Sequence, residues 1–196
     1  MADWNIIREI RKVIPRDVVM FANGNIQFHG GVERCIEGTG VDGVMSAEGQ
    51  LHNPAIFMDR LGSLETRHPR IDRLAREYLE IVRELDDPLS NAVIKGHLFK
   101  LFHAALGLVE NHDIRNALGQ AKGEEDWENV MSTLEKRVEE AMERSPETEN
   151  GVVPWYRCQA YIRPDPGPRP EKKRKTKADA KEDIASTVDK TVGITA

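Results

Sequence analysis

Asn23-Gly24-Asn25 and Ala47-Glu48-Gly49 are the places where residue type and spacing suggest chemistry. Each follows a short apolar run and precedes a stretch with helical features. Glycine lets backbone N–H groups approach an anion, and the start of a helix adds a favourable dipole. An asparagine beside the glycine tolerates the left-handed conformation and has an amide hydrogen to donate. The pair of motifs therefore describes a phosphate cradle. Glu48 is the awkward member, because a carboxylate repels phosphate. It fits if its N–H faces the anion and its side chain turns away, or if it partners a nearby arginine. Asn-Gly alone also reads as a type I′ hairpin turn joining Val18–Ala22 to Ile26–Phe28. The alternation expected of an antiparallel hairpin is missing.

A second group is cationic. Lys95, His97, Lys100 and His103 share one predicted helix. They would offer a partly basic face to RNA phosphates, or a merely solvated surface; Arg115 and Lys122 are weaker versions of the same pattern. Trp155 and Tyr156 would either stack on a base or, following Pro154, dock the chain onto the domain. Lys172-Lys173-Arg174-Lys175 has the composition of a nuclear-localisation segment, an RNA-binding tail or a solubilising end. Cys35 and Cys158 are far apart and have no CxxC or HxxxH spacing beside them, so no metal site is expected. They read as reduced, buried or half-buried thiols.

The elements that must position these residues follow from periodicity. Ile6, Ile7, Ile10, Val13 and Ile14 recur at helical spacing after an Asp3 N-cap and before Pro15. Residues 17–22 and 41–45 are short, β-branched and without polar alternation, as expected of strands buried on both faces. Helices are expected over 30–37 and from Asn53-Pro54, so residues 1–58 read α-β-α-β-α, the alternation of a parallel sheet. Two such strands require neighbours and helices on both faces, and the later sequence supplies none. From Arg70 onwards helices are expected at 71–85, 89–106, 113–120 and 125–144. Ile94, Leu98, Leu101, Phe102 and Ala105 form one stripe. The acid-rich stretch 124–149 reads as a solvated helix with i,i+4 pairs. From about Pro166 the chain is Pro-, Lys- and Asp-rich without periodicity and reads as disordered.

The chain has 196 residues, 39% of them hydrophobic, a net charge of -5 and a mean hydropathy of -0.53. The apolar deficit is concentrated in the tail. No run of eighteen apolar residues is present, which argues against a membrane helix. The N-terminus lacks a secretory h-region. The negative net charge weighs slightly against nucleic acid, but local basic surface matters more than the total.

At Phe21–Ile26 (FANGNI) and Gly38–Phe57 (GTGVDGVMSAEGQLHNPAIF) the chain resembles the tRNA-dihydrouridine synthases, specifically the eukaryotic type acting at U16 and U17 of the D-loop. The Ala47-Glu48 pair favours that type over members with Gly-Arg there. Lys95–His103 (KGHLFKLFH) and the ending PWYRCQAYIRP are similar as well. The resemblance spans about residues 1–165. It implies an α/β segment followed by an all-α one: the last strands of a (β/α)₈ TIM barrel, incomplete here, over residues 1–62. A helical tRNA-binding domain would follow over 63–150, a docking segment over 151–165 and a disordered basic tail over 166–196. It also implies FMN as cofactor, NADPH as reductant and a uridine flipped out of tRNA as substrate. Asn23, Gly24, Asn25, Ala47 and Glu48 would contact the FMN phosphate, and Lys95, His97 and Lys100 would contact RNA. The family's flavin motif, catalytic cysteine loop and conserved Lys and His near the flavin have no counterpart, so catalytic residues are expected upstream and the chain alone is expected to be inactive. A different FMN-dependent barrel oxidoreductase would share the phosphate loops but has no need of the helical extension. A cytoplasmic location, or a nuclear one if the basic segment is a signal, completes the expectations.

Overall fold

A computed structural model describes residues 2–144 and 152–163. The expected disordered tail from Pro166, with Lys172 to Lys175, lies outside them. Helix α1 (Trp4–Val13) starts as expected, with the Asp3 carboxylate accepting from the Asn5 N–H, and its C-cap is Ile14, just before Pro15. Its last turn hides a charge. Arg11 is 2% exposed and donates to the Val18 carbonyl at 2.9 Å, with Asp42 at 3.8 Å.

Strands β1 (Phe21–Asn23) and β2 (Gly43–Met45) pair in parallel, with Phe21 opposite Gly43, Ala22 opposite Val44 and Asn23 opposite Met45. The strands are shorter than the apolar runs and are not buried on both faces. Val18, Val19, Phe21 and Met45 are exposed, while Ala22 and Val41 are buried. The reason is the layering. Helix α1 and helix α2 (Gly31–Thr39) pack together and help enclose a small core around Ala22, Ile26, Cys35, Val41 and Ile56. Among the described residues nothing covers the exposed apolar side chains. Before β1, the turn at Met20 is held by Asp42, whose carboxylate accepts the Met20 N–H and whose own N–H reaches the Met20 carbonyl.

Helix α2 ends where the sequence places a break. Gly40 adopts φ 75° and its N–H bonds to the Ile36 carbonyl at 2.7 Å. A methyl group there would meet nothing closer than 3.8 Å. Gly40→Ala should therefore cost only the left-handed backbone penalty, about 1 kcal/mol, measurable as a small shift of the urea midpoint.

Helix α3 (Glu48–His52) begins directly after β2, earlier than the sequence pattern suggests, and a 3₁₀ turn (Pro54–Phe57) follows it. Then come α4 (Leu64–Arg67), α5 (Ile71–Glu84), α6 (Asn91–Leu101), α7 (His103–Leu106), α8 (His112–Gln120) and α9 (Glu124–Arg144). The expected helix over 89–106 is two helices broken at Phe102, which is fully buried at φ -90°, ψ 7°. The predicted stripe Ile94, Leu98, Leu101, Phe102 and Ala105 is buried throughout.

Helix α9 corrects the expectation of a solvated helix. Trp127, Val130, Met131, Leu134 and Val138 form a buried stripe in the larger core. Its charges flank that stripe and tie it down. Arg76 of α5 grips Glu128 and Glu135 at 2.6 and 2.8 Å, and Arg137 grips Asp113 at 2.7 Å. The i,i+4 acids alternate with an ordinary 3.6-residue apolar period along the same helix.

The segment 152–163 docks as one of the two readings of Trp155 and Tyr156 requires. Tyr156 and Cys158 are buried in the helical core and Trp155 packs against it. The Ile71 N–H donates to the Tyr156 carbonyl, and the Cys158 N–H to the Pro69 carbonyl.

Candidate anion site and the histidine-lined junction beside it

The two glycine motifs lie side by side at the same end of the sheet. The parallel register brings Asn23 opposite Met45, and the Gly24 N–H reaches the Met45 carbonyl at 3.4 Å. Gly24 has φ 107° and Asn25 has φ 64°, a left-handed pair available to glycine and tolerated by asparagine. Ser46 Oγ donates to the Ile26 carbonyl at 2.7 Å, linking the second loop to the first. Gly49 makes the contact closer still, because a Cβ there would stand 2.1 Å from the Ile26 carbonyl oxygen. Loop 23–26 and the first turn of α3 are thus one packed unit.

Each candidate residue plays a distinct part. Asn23 ends β1 and is exposed. Asn25 gives its backbone to the turn, and its side-chain amide bonds at both ends to the Ala2 backbone. The Gly24 carbonyl accepts from Trp4 Nε1 at 3.3 Å. Ala47 is the N-cap of α3 and makes no side-chain cap bond. Glu48 opens the helix four residues before His52 and favours the protonated form of that histidine, so its charge acts along α3. This places a carboxylate near the loops.

The RNA group is not one face. Lys95 Nζ donates to the Gly119 carbonyl at 2.9 Å, on the α8 side. His97 Nδ1 shares a 2.8 Å hydrogen bond with the Tyr78 hydroxyl, on the α5 side. Lys100 is close enough to His52 to oppose its protonation. At 100° per residue, Lys95 lies away from His97 and Lys100, which are three residues apart and share a face.

Sequence reasoning missed a cluster of histidines where α3 meets the helical part. His52 is 4% exposed, with its ring 4.7 Å from His103 and 5.4 Å from Tyr161. Burial, and then repulsion from His103 and Lys100, pushes His52 down to about 4. Burial likewise lowers His68 and His103. His29 Nε2 lies 2.7 Å from the Arg67 carbonyl, which also accepts from Asn53, and His68 Nδ1 lies 2.7 Å from the Cys158 carbonyl. The available signal was composition: His29, His52, His68 and His103 are four of the six histidines in the chain. Among the described residues no three His, Cys, Asp or Glu side chains are placed to hold a metal ion, and no helix is long and apolar enough to cross a membrane. Both cysteines are fully buried, and burial pushes Cys158 up to about 12 and raises Cys35. Neither is a nucleophile at neutral pH.

Comparison with known proteins agrees with the motif reading. Residues 1–149 match the family described as Dihydrouridine synthase (Dus). The chain is 43% identical over 183 residues to a Schizosaccharomyces pombe protein named tRNA-dihydrouridine(16/17) synthase (NAD(P)(+)), covering 84% of this chain and 45% of that protein. It is 44% identical over 173 residues to a Mus musculus protein named as like that synthase, covering 84% of this chain and 33% of the relative. A Saccharomyces cerevisiae protein of the same synthase name is 35% identical over 185 residues, with 84% and 43% covered. The chain thus spans between 33% and 45% of the length of these three relatives.

Proposed function

The chain belongs to the dihydrouridine synthase family, and on that premise we propose that it forms the cofactor-anchoring and RNA-holding part of an enzyme that reduces uridine 16 or 17 of tRNA to dihydrouridine. The two strands and their helices are read as the closing part of a (β/α)₈ barrel, whose last strand-to-helix loops commonly hold a phosphate. The observation that carries the reading is the packed pair of glycine loops at one end of a parallel sheet.

Those loops fit a phosphate group. Gly24 and Gly49 permit the turn and the close packing of the two loops, since a Cβ would meet Ala2 Cβ at 3.0 Å in the first case and the Ile26 carbonyl oxygen at 2.1 Å in the second. Asn23, Asn25, Ala47 and Glu48 would hold the phosphate of FMN through backbone N–H groups, with Gly24, whose own N–H goes to the Met45 carbonyl, shaping the turn beside it. FMN, recharged by NADPH, would supply a hydride to one carbon of the uracil C5–C6 double bond, and a proton delivered to the other carbon would complete the saturation. The described residues of this chain would anchor and orient, and both cysteines are buried. The helical part, α5 to α9, is read as the surface that keeps tRNA over the barrel mouth.

The reading is tested by ligand chemistry. The chain should bind FMN more tightly than riboflavin by at least tenfold, because only FMN carries the phosphate, and Gly24→Val should erase the difference. Equal affinity for the two flavins, or indifference to Gly24→Val, would remove the loops from phosphate binding.

A further inference from the structure

Beside α3, an open cleft of about 360 Å³ lies between α3, α5 and α6. Its size falls in the range of ligand sites, roughly 300–1,000 Å³. Leu51, Leu98 and Leu101 supply apolar wall. Tyr78 supplies an aromatic surface, and its hydroxyl is committed to His97 at 2.8 Å. Gln50 and Glu77 add polar groups at the exposed edge, and among the described residues Glu77 is the single acid or base of fixed charge in the lining.

We propose that this cleft is a nucleobase pocket that takes one guanine of the bound tRNA, turned out of its stack. The inference rests on reading the chain as a tRNA-binding part. Three features select the occupant. Apolar and aromatic walls suit a flat heterocycle, since unstacked RNA bases are read by stacking and by hydrogen bonds to their edges. An acidic rather than a basic lining excludes a phosphate-led ligand, because the carboxylate repels it. A carboxylate accepts two hydrogen bonds side by side and donates none, which matches the adjacent N1–H and N2–H groups of guanine and no edge of adenine or uracil. The cleft also shares α3 with the anion loops: Gln50 lies two residues beyond Glu48, on a helix that rises about 1.5 Å per residue. A base held here is therefore kept in fixed register with the cofactor loops. His97 is thereby a partner of Tyr78 in the wall of a base pocket instead of a phosphate contact.

The test uses the full chain and two measurements. Methyl NMR is recorded during titration with guanosine, adenosine and, separately, NADPH. Guanosine should shift the Leu51, Leu98 and Leu101 methyl signals saturably, adenosine should do so at least tenfold less well, and Glu77→Gln should level the two. Affinity for unmodified tRNA is then measured across a salt series for wild type and Ile81→Trp. Ile81 is 53% exposed and lines the cleft, so an indole there fills the cleft without disturbing the core. Ile81→Trp should weaken tRNA binding at least tenfold and leave the salt slope unchanged, because a base contact releases no counterions. No guanosine shift, or tRNA affinity untouched by Ile81→Trp, overturns the pocket. Shifts caused by NADPH and reversed by guanosine would give the cleft to the reductant and overturn it too. Wild-type chain that takes guanosine in the cleft but binds no tRNA would instead sink the reading as a tRNA-binding part, and the RNA assignment with it.

Discussion

Gly49→Ala should destabilise the chain by about 3 kcal/mol, near the upper end of what overpacking one methyl group costs. The added carbon would stand 2.1 Å from the Ile26 carbonyl oxygen and 2.8 Å from both Ile56 Cδ1 and Ser46 Oγ. None of these can yield cheaply. Ile26 and Ile56 are 1% and 2% exposed members of the small core, and the Ile26 carbonyl is already held by Ser46. The loops must move apart, so flavin affinity should fall together with stability. At roughly 2–4 °C per kcal/mol for a chain of this size, the melting temperature should drop about 10 °C. Gly38→Ala and Gly96→Ala serve as controls. Both glycines are helical, and a methyl group on either would have nothing within 4 Å. Each change should be neutral or stabilise by a few tenths to about 1 kcal/mol. A Gly49→Ala protein that melts with wild type would show that the loops are not packed as described.

Acid should loosen the same end of the protein. His52 moves from the ordinary 6.5 to about 4, mainly because burial disfavours its charged form. In the unfolded chain it takes a proton as pH falls through 6.5; in the folded chain it does not until about 4. The folded state binds fewer protons in that window, so the contribution of His52 is complete above 6.5 and is lost as pH falls toward 4. At about 1.4 kcal/mol per unit the loss reaches roughly 3 kcal/mol. His68 and His103, lowered mainly by burial, act in the same direction. Urea unfolding followed from about pH 7.5 to 4.5 should show stability falling steadily. His52→Gln should start lower at the neutral end and fall less steeply. An unchanged slope in that variant would mean that His52 is charged in the folded state.

Local geometry was legible in the sequence wherever one residue controls it. Asp3, Pro15, Gly40 and the Asn23–Asn25 turn each act on their own backbone, and the structure puts breaks and caps where they stand. Side chains that act across the fold were not legible. Lys95 and His97 are near neighbours in sequence, yet one bonds to α8 and the other to α5, because azimuth around α6 and not spacing decides the partner. Helix α9 was misjudged because Glu128 and Glu135 look solvent-directed until Arg76 is seen to bridge them. The histidine junction was hidden for the same reason: His52 and His103 are distant in sequence and meet only once α3 is laid against the helical part. The apolar runs of β1 and β2 predicted strands correctly but overstated their length and burial, since burial depends on what covers a sheet.

The docked segment has a consequence for the order in which the molecule is made. Arg157 bonds to Glu65 and to the His68 carbonyl, contacts that span 92 and 89 residues, while Tyr156 and Cys158 fill space in the helical core. Helices α5 to α9 are therefore synthesised, and free to collapse, before the residues that plug their core leave the ribosome. Closing so long a loop adds little entropy cost per extra residue, but it cannot begin until the chain is long enough. During that interval the nascent protein presents an open apolar slot, the kind of surface that chaperones bind and that invites association between half-made chains.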